Sequence, residues 1–390
     1  MPTKSITSAS NELAARLSAL EKQESRMTQT IQRIVGIESP SDNKAAADRL
    51  CSHLEELFSG MGGAIKRHKA ASYGDHLQIN FPGGNSQKPI LLLGHYDTVY
   101  PLGTLASMPC RETGGKLMGP GVLDMKAGII LMMFAISAAR EFHGALPRPV
   151  TVLLVSDEEV GSNSSRKITE SLARKSAGVL VLEPSYGPKG AVKTARKGVG
   201  EYELKVTGIA AHAGLDPEKG HSAIVELARQ IDVIRQITDL QKGLSVNVGV
   251  IRGGTRTNVV AAEAAAEIDA RIKTASQARI LDRKLRGLKA FDTKCRLEVS
   301  GGINRMPLER TSAVVGLYQK ARSIARELNW DLPEASVGGG SDGNFTAGIG
   351  IPTLDGLGAV GDGAHARHEF IYTAELPRRA LLLAALIESI

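Results

Sequence analysis

Apolar residues recur at helical spacing over 11–35 and again over 43–60, where Ser41 or Asp42 is placed to cap the second helix. Alternating runs at 64–69 and 76–81 predict two short strands, followed by a Pro82-Gly83-Gly84-Asn85 turn. Near-continuous apolar runs at 90–94, 149–156 and 178–182 predict buried strands. An apolar helix over 125–139, opened by Asp124, and a second helix over 163–176 separate them. Apolar strands alternating with helices give an α/β fold, a mainly parallel sheet flanked by helices. Open sheets of this kind bind ligands beyond the carboxyl ends of their strands. His95, Glu158, Glu159 and Glu183 all fall at such ends.

Near residue 199 the period changes. Residues 200–208 alternate like a half-exposed strand, 218–237 carry an amphipathic helical pattern, and 244–252 and 262–273 read as strands. A helix over 277–288 and a strand over 294–300 complete a β-α-β-β-α-β order, that of a ferredoxin-like split unit. Beyond Gly301-Gly302 the first pattern resumes: a helix over 311–327, a glycine loop at 338–343, a strand at 351–354 and a closing helix over 374–389. The expected architecture is a discontinuous α/β domain, 1–198 plus 307–390, with an inserted α+β domain at 199–306. Internal repeats and low-complexity tracts are absent from the sequence.

The totals narrow the function classes. At 390 residues the chain is too long for a single ordinary core, in keeping with two domains. Hydrophobic content of 42% and charged content of 23% are those of a soluble globular protein. Aromatics at 4% argue against a stacking platform for single-stranded nucleic acid. The net charge of +7 is spread among acidic residues, a solvated surface rather than a nucleic-acid footprint, and suggests at most a preference for anionic substrates. Cys51, Cys110 and Cys295 are odd in number and far apart, which points to reduced thiols. Residues 1–20 lack an apolar signal core, and no run approaches the length of a membrane span. A cytoplasmic protein with no nucleic-acid or membrane partner is expected.

The chemistry starts at the end of the central strand. His95 and Asp97 stand two apart, so a strand directs both side chains to one side, where the carboxylate can orient the imidazole. With Asp124, Glu158, Glu159, Glu183 and His365 they form a set of acids and imidazoles at strand ends or helix starts. Zinc accepts both donor types, and two ions a few ångströms apart require a bridging carboxylate, terminal ligands and a nearby base. Each residue alone has a plainer reading: Asp124 as a helix cap, Glu158 and Glu159 as a solvated pair, Glu183 before proline as a turn. Their joint placement at one sheet edge is what the plainer readings do not predict.

The segments GHYDTV, GPGVLDMKAG, SDEEVGS, LEPS, TGIAAHAG, GGTRTNVV, GGGSDGN and HARHEFI, in this order and spacing, make the resemblance specific. From about residue 25 to residue 390 the chain resembles the two-zinc peptidase family of glutamate carboxypeptidases, acetylornithine and succinyl-diaminopimelate deacylases, and aminoacylases. The bacterial glutamate carboxypeptidase branch is the most similar. The resemblance makes Asp124 the bridging ligand, with His95 and Glu183 completing one zinc and Glu159 and His365 the other. It makes Glu158 the general base and Asp97 the carboxylate behind His95, and it implies a cis peptide at Asp124–Met125. Cobalt or manganese could fill such a site in place of zinc.

The inserted domain then corresponds to a lid and dimerisation domain. His212 resembles the histidine that reaches the partner subunit's active site and stabilises the oxyanion, which implies a homodimer. Asn258 and Arg271 resemble residues that hold the substrate, the arginine suiting a carboxylate bidentately; the loop with Gly339 would line the substrate site. Asn258 as a turn cap and Arg271 as a strand-edge gatekeeper are the plainer readings. The implied activity is hydrolysis of an amide to release a C-terminal amino acid, glutamate foremost. An N-acyl amino acid deacylase and a non-catalytic binding relative are the alternatives. The 338–343 loop also matches G-x-G-x-x-G but lacks the following βαβ context of a dinucleotide site. His221 and His368 read as surface or cap histidines, and the two N-x-S/T sites are not expected to be glycosylated.

Overall fold

A computed structural model describes residues 6–84 and 87–390, so Asn85 of the expected turn lies outside the described residues. The chain divides into two compact units, Met1–Ala195 with Arg310–Ser336 and Ser341–Ile390, and Arg196–Glu309 with Val337–Gly340.

The first unit is built on a six-stranded sheet in the order Ala64–His68, His76–Phe81, Val150–Val155, Ile90–His95, Gly178–Val181, Thr353–Leu354. The last four are parallel; His76–Phe81 joins them antiparallel, and Ala64–His68 pairs antiparallel with it as a hairpin, so the sheet is mixed. Ile90–His95 is central and buried throughout. Its alternate residues feed two cores: Leu92 packs with Ile130 and Leu383 on one face, and Leu91 and Leu93 pack with Ala173 on the other. Burial on both faces is why the run is continuously apolar.

The helix boundaries differ from the sequence reading where long-range contacts intervene. The 11–35 pattern is two helices, Ile6–Glu21 and Glu24–Val35. The next helix, Lys44–Gly60, is capped by Asn43, whose side chain accepts the Ala46 amide, and not by Ser41 or Asp42. Asp124 opens no helix: Val122–Lys126 forms a wide turn with non-helical backbone at Asp124 and Met125 and a cis peptide between them. Ala127–His143 follows and packs against the closing helix Leu376–Ser389. Contrary to the sequence expectation, Val122–His143 is long and apolar enough for a membrane span, but 89% of its most apolar window is buried, as in a core helix. It approaches the sheet closely, since a β-carbon on Gly128 would stand 2.2 Å from the Leu182 carbonyl oxygen.

The second unit is a four-stranded antiparallel sheet in the order Ser245–Gly253, Glu263–Ile272, Gly198–Thr207, Arg296–Arg305, joined by helices Ala223–Arg235 and Ala275–Arg286. That is the ferredoxin-like strand order. Tyr202, Leu204 and Val206 are buried with Leu227 and Leu281, while Glu201, Glu203 and Lys205 between them are exposed. The expected 218–237 helix is a short turn, Pro217–Lys219, and then Ala223–Arg235 with Ser222 as cap. Gly301-Gly302 does not end the last strand, which runs on to Arg305. Gly301 has φ +79°, and a β-carbon there would meet the Glu201 carbonyl oxygen at 2.2 Å. The unit runs from Arg196 to Glu309 and takes in Val337–Gly340, slightly beyond the expected 199–306.

Candidate metal centre

The central strand delivers His95 at its last position, and the chain turns at once so that Asp97 is fully buried behind it. His95 Nδ1 lies 3.1 Å from the Asp97 carbonyl oxygen and 3.5 Å from its Oδ1. Both are acceptors, which assigns the proton to Nδ1 and leaves Nε2 to face the acids beyond. The Asp97 carboxylate binds elsewhere as well. It accepts the Ser41 hydroxyl at 2.7 Å and the amides of Glu158 and Glu159 at 3.3 and 3.2 Å. Ser41, read as a helix cap, thus helps hold the turn that carries the two glutamates.

Asp124 stands opposite. Its Oδ1 is 3.2 Å from His95 Nε2, and its Oδ2 is 3.3 Å from His365 Nε2. His95 Nε2 also approaches Glu183 Oε1 at 3.4 Å, and His365 Nε2 approaches Glu159 Oε1 at 3.1 Å. Ligand atoms of His95, Asp124 and Glu159 lie within 4.8 Å of one another, as do those of His95, Glu158 and Glu183. The structure therefore brings together the five residues expected as ligands, and with them Glu158. His365 has φ +63°, a conformation that costs a non-glycine residue roughly 1–2 kcal/mol.

The electrostatics fit a cation. Burial disfavours a charged His95, yet Asp124, Asp97 and Glu183 outweigh it and hold the pKa well above the ordinary histidine value. Hydrogen bonds to Asp124 and Glu159 push His365 up to about 10. Burial, reinforced by the charge of Asp124, raises Glu159. The carboxylates that raise both imidazoles create a negative potential that also favours a divalent metal. Imidazole nitrogen and carboxylate oxygen are the donor set of zinc, cobalt and manganese, so the residues present suit a metal centre.

Two buried acids that sequence reasoning missed support this set. Glu369 accepts the amides of Gly121, Leu123 and Asp124 at 3.0, 2.7 and 2.9 Å and the Tyr100 hydroxyl at 2.6 Å. Asp157 Oδ2 accepts the amide and hydroxyl of Ser164, both at 2.7 Å, and the Ser165 amide at 3.3 Å, bracing the turn after Glu158 and Glu159. The local signal for either is weak, because an acidic residue in a loop ordinarily reads as solvated.

His212, Asn258, Arg271 and Gly339 belong to the second unit. His212 Nδ1 accepts the amides of Gly214 and Leu215 at 3.1 and 3.2 Å, which leaves its proton on Nε2. The Ala213 amide bonds the Asn258 carbonyl at 3.0 Å, and His212 bridges Val259, so these two loops lie side by side. Arg271 is elsewhere: it lies on an interior strand, paired with both Ser245 and Val199, which removes the edge-gatekeeper reading. Its guanidinium forks onto Asp269 at 3.0 and 2.9 Å. From Glu263, where the strand begins, to Arg271 is about 26 Å at the usual rise. The Gly339 carbonyl accepts from Arg196 at 3.3 Å. His221, read as a surface or cap histidine, pairs with Asp292 at 2.7 Å.

Imidazoles and carboxylates gathered beside the strand ends of an α/β sheet form a candidate metal centre. The sequence profile described as Peptidase family M20/M25/M40 matches residues 91–389, and the chain belongs to that family. It is 28% identical to carboxypeptidase G2 of Pseudomonas sp. (strain RS-16) over 92% of this chain and 88% of that protein. It is 30% identical to the acetylornithine deacetylase of Myxococcus xanthus, over 45% of this chain and 48% of that one. Among solved structures, the aminopeptidase PepT from Bacillus cereus superposes with a TM-score of 0.74 at 23% identity, covering 94% and 98% of the two chains, which shows a shared fold.

Proposed function

We propose that the protein is a two-zinc hydrolase that cleaves an amide bond to release a C-terminal amino acid, glutamate foremost. The observation that carries this reading is the division of Asp124 between His95 and His365, one carboxylate oxygen to each. One ion would be held by His95, Asp124 and Glu183 and the other by Asp124, Glu159 and His365. When bound, they supply Lewis acidity and make water acidic enough to lose a proton near neutral pH. Glu158 accepts that proton and returns it to the leaving amine. Asp97 keeps His95 in the Nδ1–H tautomer. His212, with its proton on Nε2, has the donor that a developing oxyanion requires. Arg271 exchanges Asp269 for the substrate α-carboxylate, which it can meet bidentately.

Two features support a homodimer through the second unit. The outer strand Ser245–Gly253 is a sheet edge with Val250 and Ile251 40% and 63% exposed, and Ile224 and Val225 on the neighbouring helix are 46% and 52% exposed. Apolar sheet edges of this kind are ordinarily covered. In addition, the His212–Asn258 loops and Arg271 sit at separate ends of the strand Glu263–Ile272, too far apart to share a small substrate within one chain. Two chains resolve this if each centre takes His212 and Asn258 from one subunit and Arg271 from the other. The free cysteines suit a cytoplasmic location.

The similarity to an acetylornithine deacetylase favours a second reading, an N-acyl amino acid deacylase. Amino-acid release from a panel of dipeptides and N-acyl amino acids, with zinc-loaded and chelator-stripped protein, decides between them. Metal-dependent release of C-terminal glutamate supports the first, and release confined to acyl-ornithine or acyl-diaminopimelate supports the second. No release with two ions bound would leave a non-catalytic relative.

A further inference from the structure

We propose that Glu369, oriented by Tyr100, is a positioning residue that sets the approach of Asp124 to His365 and so the affinity for the ion those two share. The inference rests on reading the site as a two-metal centre. Glu369 follows four positions after His365, and the turn between them is closed by backbone bonds from Ala366 to Gly363 at 2.8 Å and from Glu369 to Ala366 at 3.0 Å. Its carboxylate, with no solvent exposure, takes the amides of Gly121, Leu123 and Asp124. These amides precede the helix Ala127–His143, and the backbone at Asp124 is non-helical. One residue therefore ties the segment bearing His365 to the segment bearing Asp124. The ring closes where His365 Nε2 meets Asp124 Oδ2 at 3.3 Å.

The bonding pattern makes the acid hard to replace. Three backbone N–H groups point at it, so both oxygens must accept. The Tyr100 hydroxyl lies 2.6 Å from Oε2 and 3.0 Å from the Ala366 carbonyl, fixing the plane of the carboxylate against the His365 segment. In Glu369→Gln one oxygen becomes an N–H₂ that must face a donor, and the turn shifts by the few tenths of an ångström that metal geometry does not tolerate. The effect falls mainly on the ion shared by Asp124, Glu159 and His365, because only that ion has ligands from both tied segments.

The test is cobalt(II) titration and chelator competition on the full-length protein, reading the visible ligand-field bands and both dissociation constants. In Glu369→Gln one ion should bind about 10–100-fold more weakly with an altered band, and the other should change little. Tyr100→Phe should show the same pattern at about three- to tenfold. A folded Glu369→Gln protein with unaltered bands and constants overturns the proposal, and so does equal weakening of both ions. Should Glu369→Gln fail to fold, Tyr100→Phe decides, and unchanged constants there overturn it. Wild-type protein that binds no cobalt or zinc would instead bring down the metal-centre reading itself.

Discussion

His95 and His365 meet through a single carboxylate: Asp124 Oδ1 lies 3.2 Å from one ring and Oδ2 lies 3.3 Å from the other. A carboxylate so divided can bridge two cations, and each histidine has a second acid on its own side, Glu183 for His95 and Glu159 for His365. The arrangement carries no local signal at Asp124, which looks like a helix cap until the turn and its distant partners are seen together.

Asp124→Asn should lose more than half of the bound metal and most of the activity. Asparagine keeps the size but withdraws the charge and one of the two acceptor oxygens. Metal content per chain after gel filtration checks this; retention of two ions would remove Asp124 as a bridge.

Glu158→Gln should lower kcat by about 10²–10⁴-fold while two ions stay bound. Because Glu158 also groups with His95 and Glu183, a loss of metal in this variant would reassign it as a ligand. Turnover and metal content are therefore measured on the same preparation.

His212→Ala should cost about 10²–10³-fold in kcat. Mixed with Glu158→Gln protein under conditions that exchange subunits, it should regain activity if His212 acts in the proposed dimer across the subunits, because one of the two hybrid centres is then intact. No regain with hybrid dimers verified by mass would place His212 in its own chain's site or outside the reaction.

Gly128→Ala should destabilise the protein by about 1–3 kcal/mol and weaken metal binding with it. The added methyl would collide with the Leu182 carbonyl, one residue before Glu183. Thermal melting and metal titration check this, and a change in melting alone would separate the helix contact from the centre.

Acid stability should depend on Asp75. Burial acts to raise its pKa, but Lys44, Lys69 and the Ala70 amide outweigh it and hold the carboxyl well below the usual range. Lys44, Lys69 and Arg67 lie 2.8, 2.7 and 2.9 Å from it. The unfolded chain therefore binds a proton first, near pH 4, so this stabilisation is complete above that pH and is lost as pH falls below it. Asp75→Asn should lower the melting temperature at pH 7 by an amount corresponding to about 1–3 kcal/mol, and the difference from wild type should shrink toward pH 3.

The sequence determined what depends on near neighbours. Period and apolar continuity marked the buried strands and the β-α-β-β-α-β order, because side-chain direction repeats every two residues in a strand and every three or four in a helix. The strand ends also exposed His95, Glu159 and Glu183 as one set. Tertiary structure decided the rest: that Ser41 bonds Asp97 instead of capping a helix, that Asp124 sits in a non-helical turn, that Arg271 pairs with Asp269, and that Glu369 braces the turn before Asp124. A buried polar group must find a partner, and that partner is chosen by which segments the fold brings together, a relation that local periodicity does not encode.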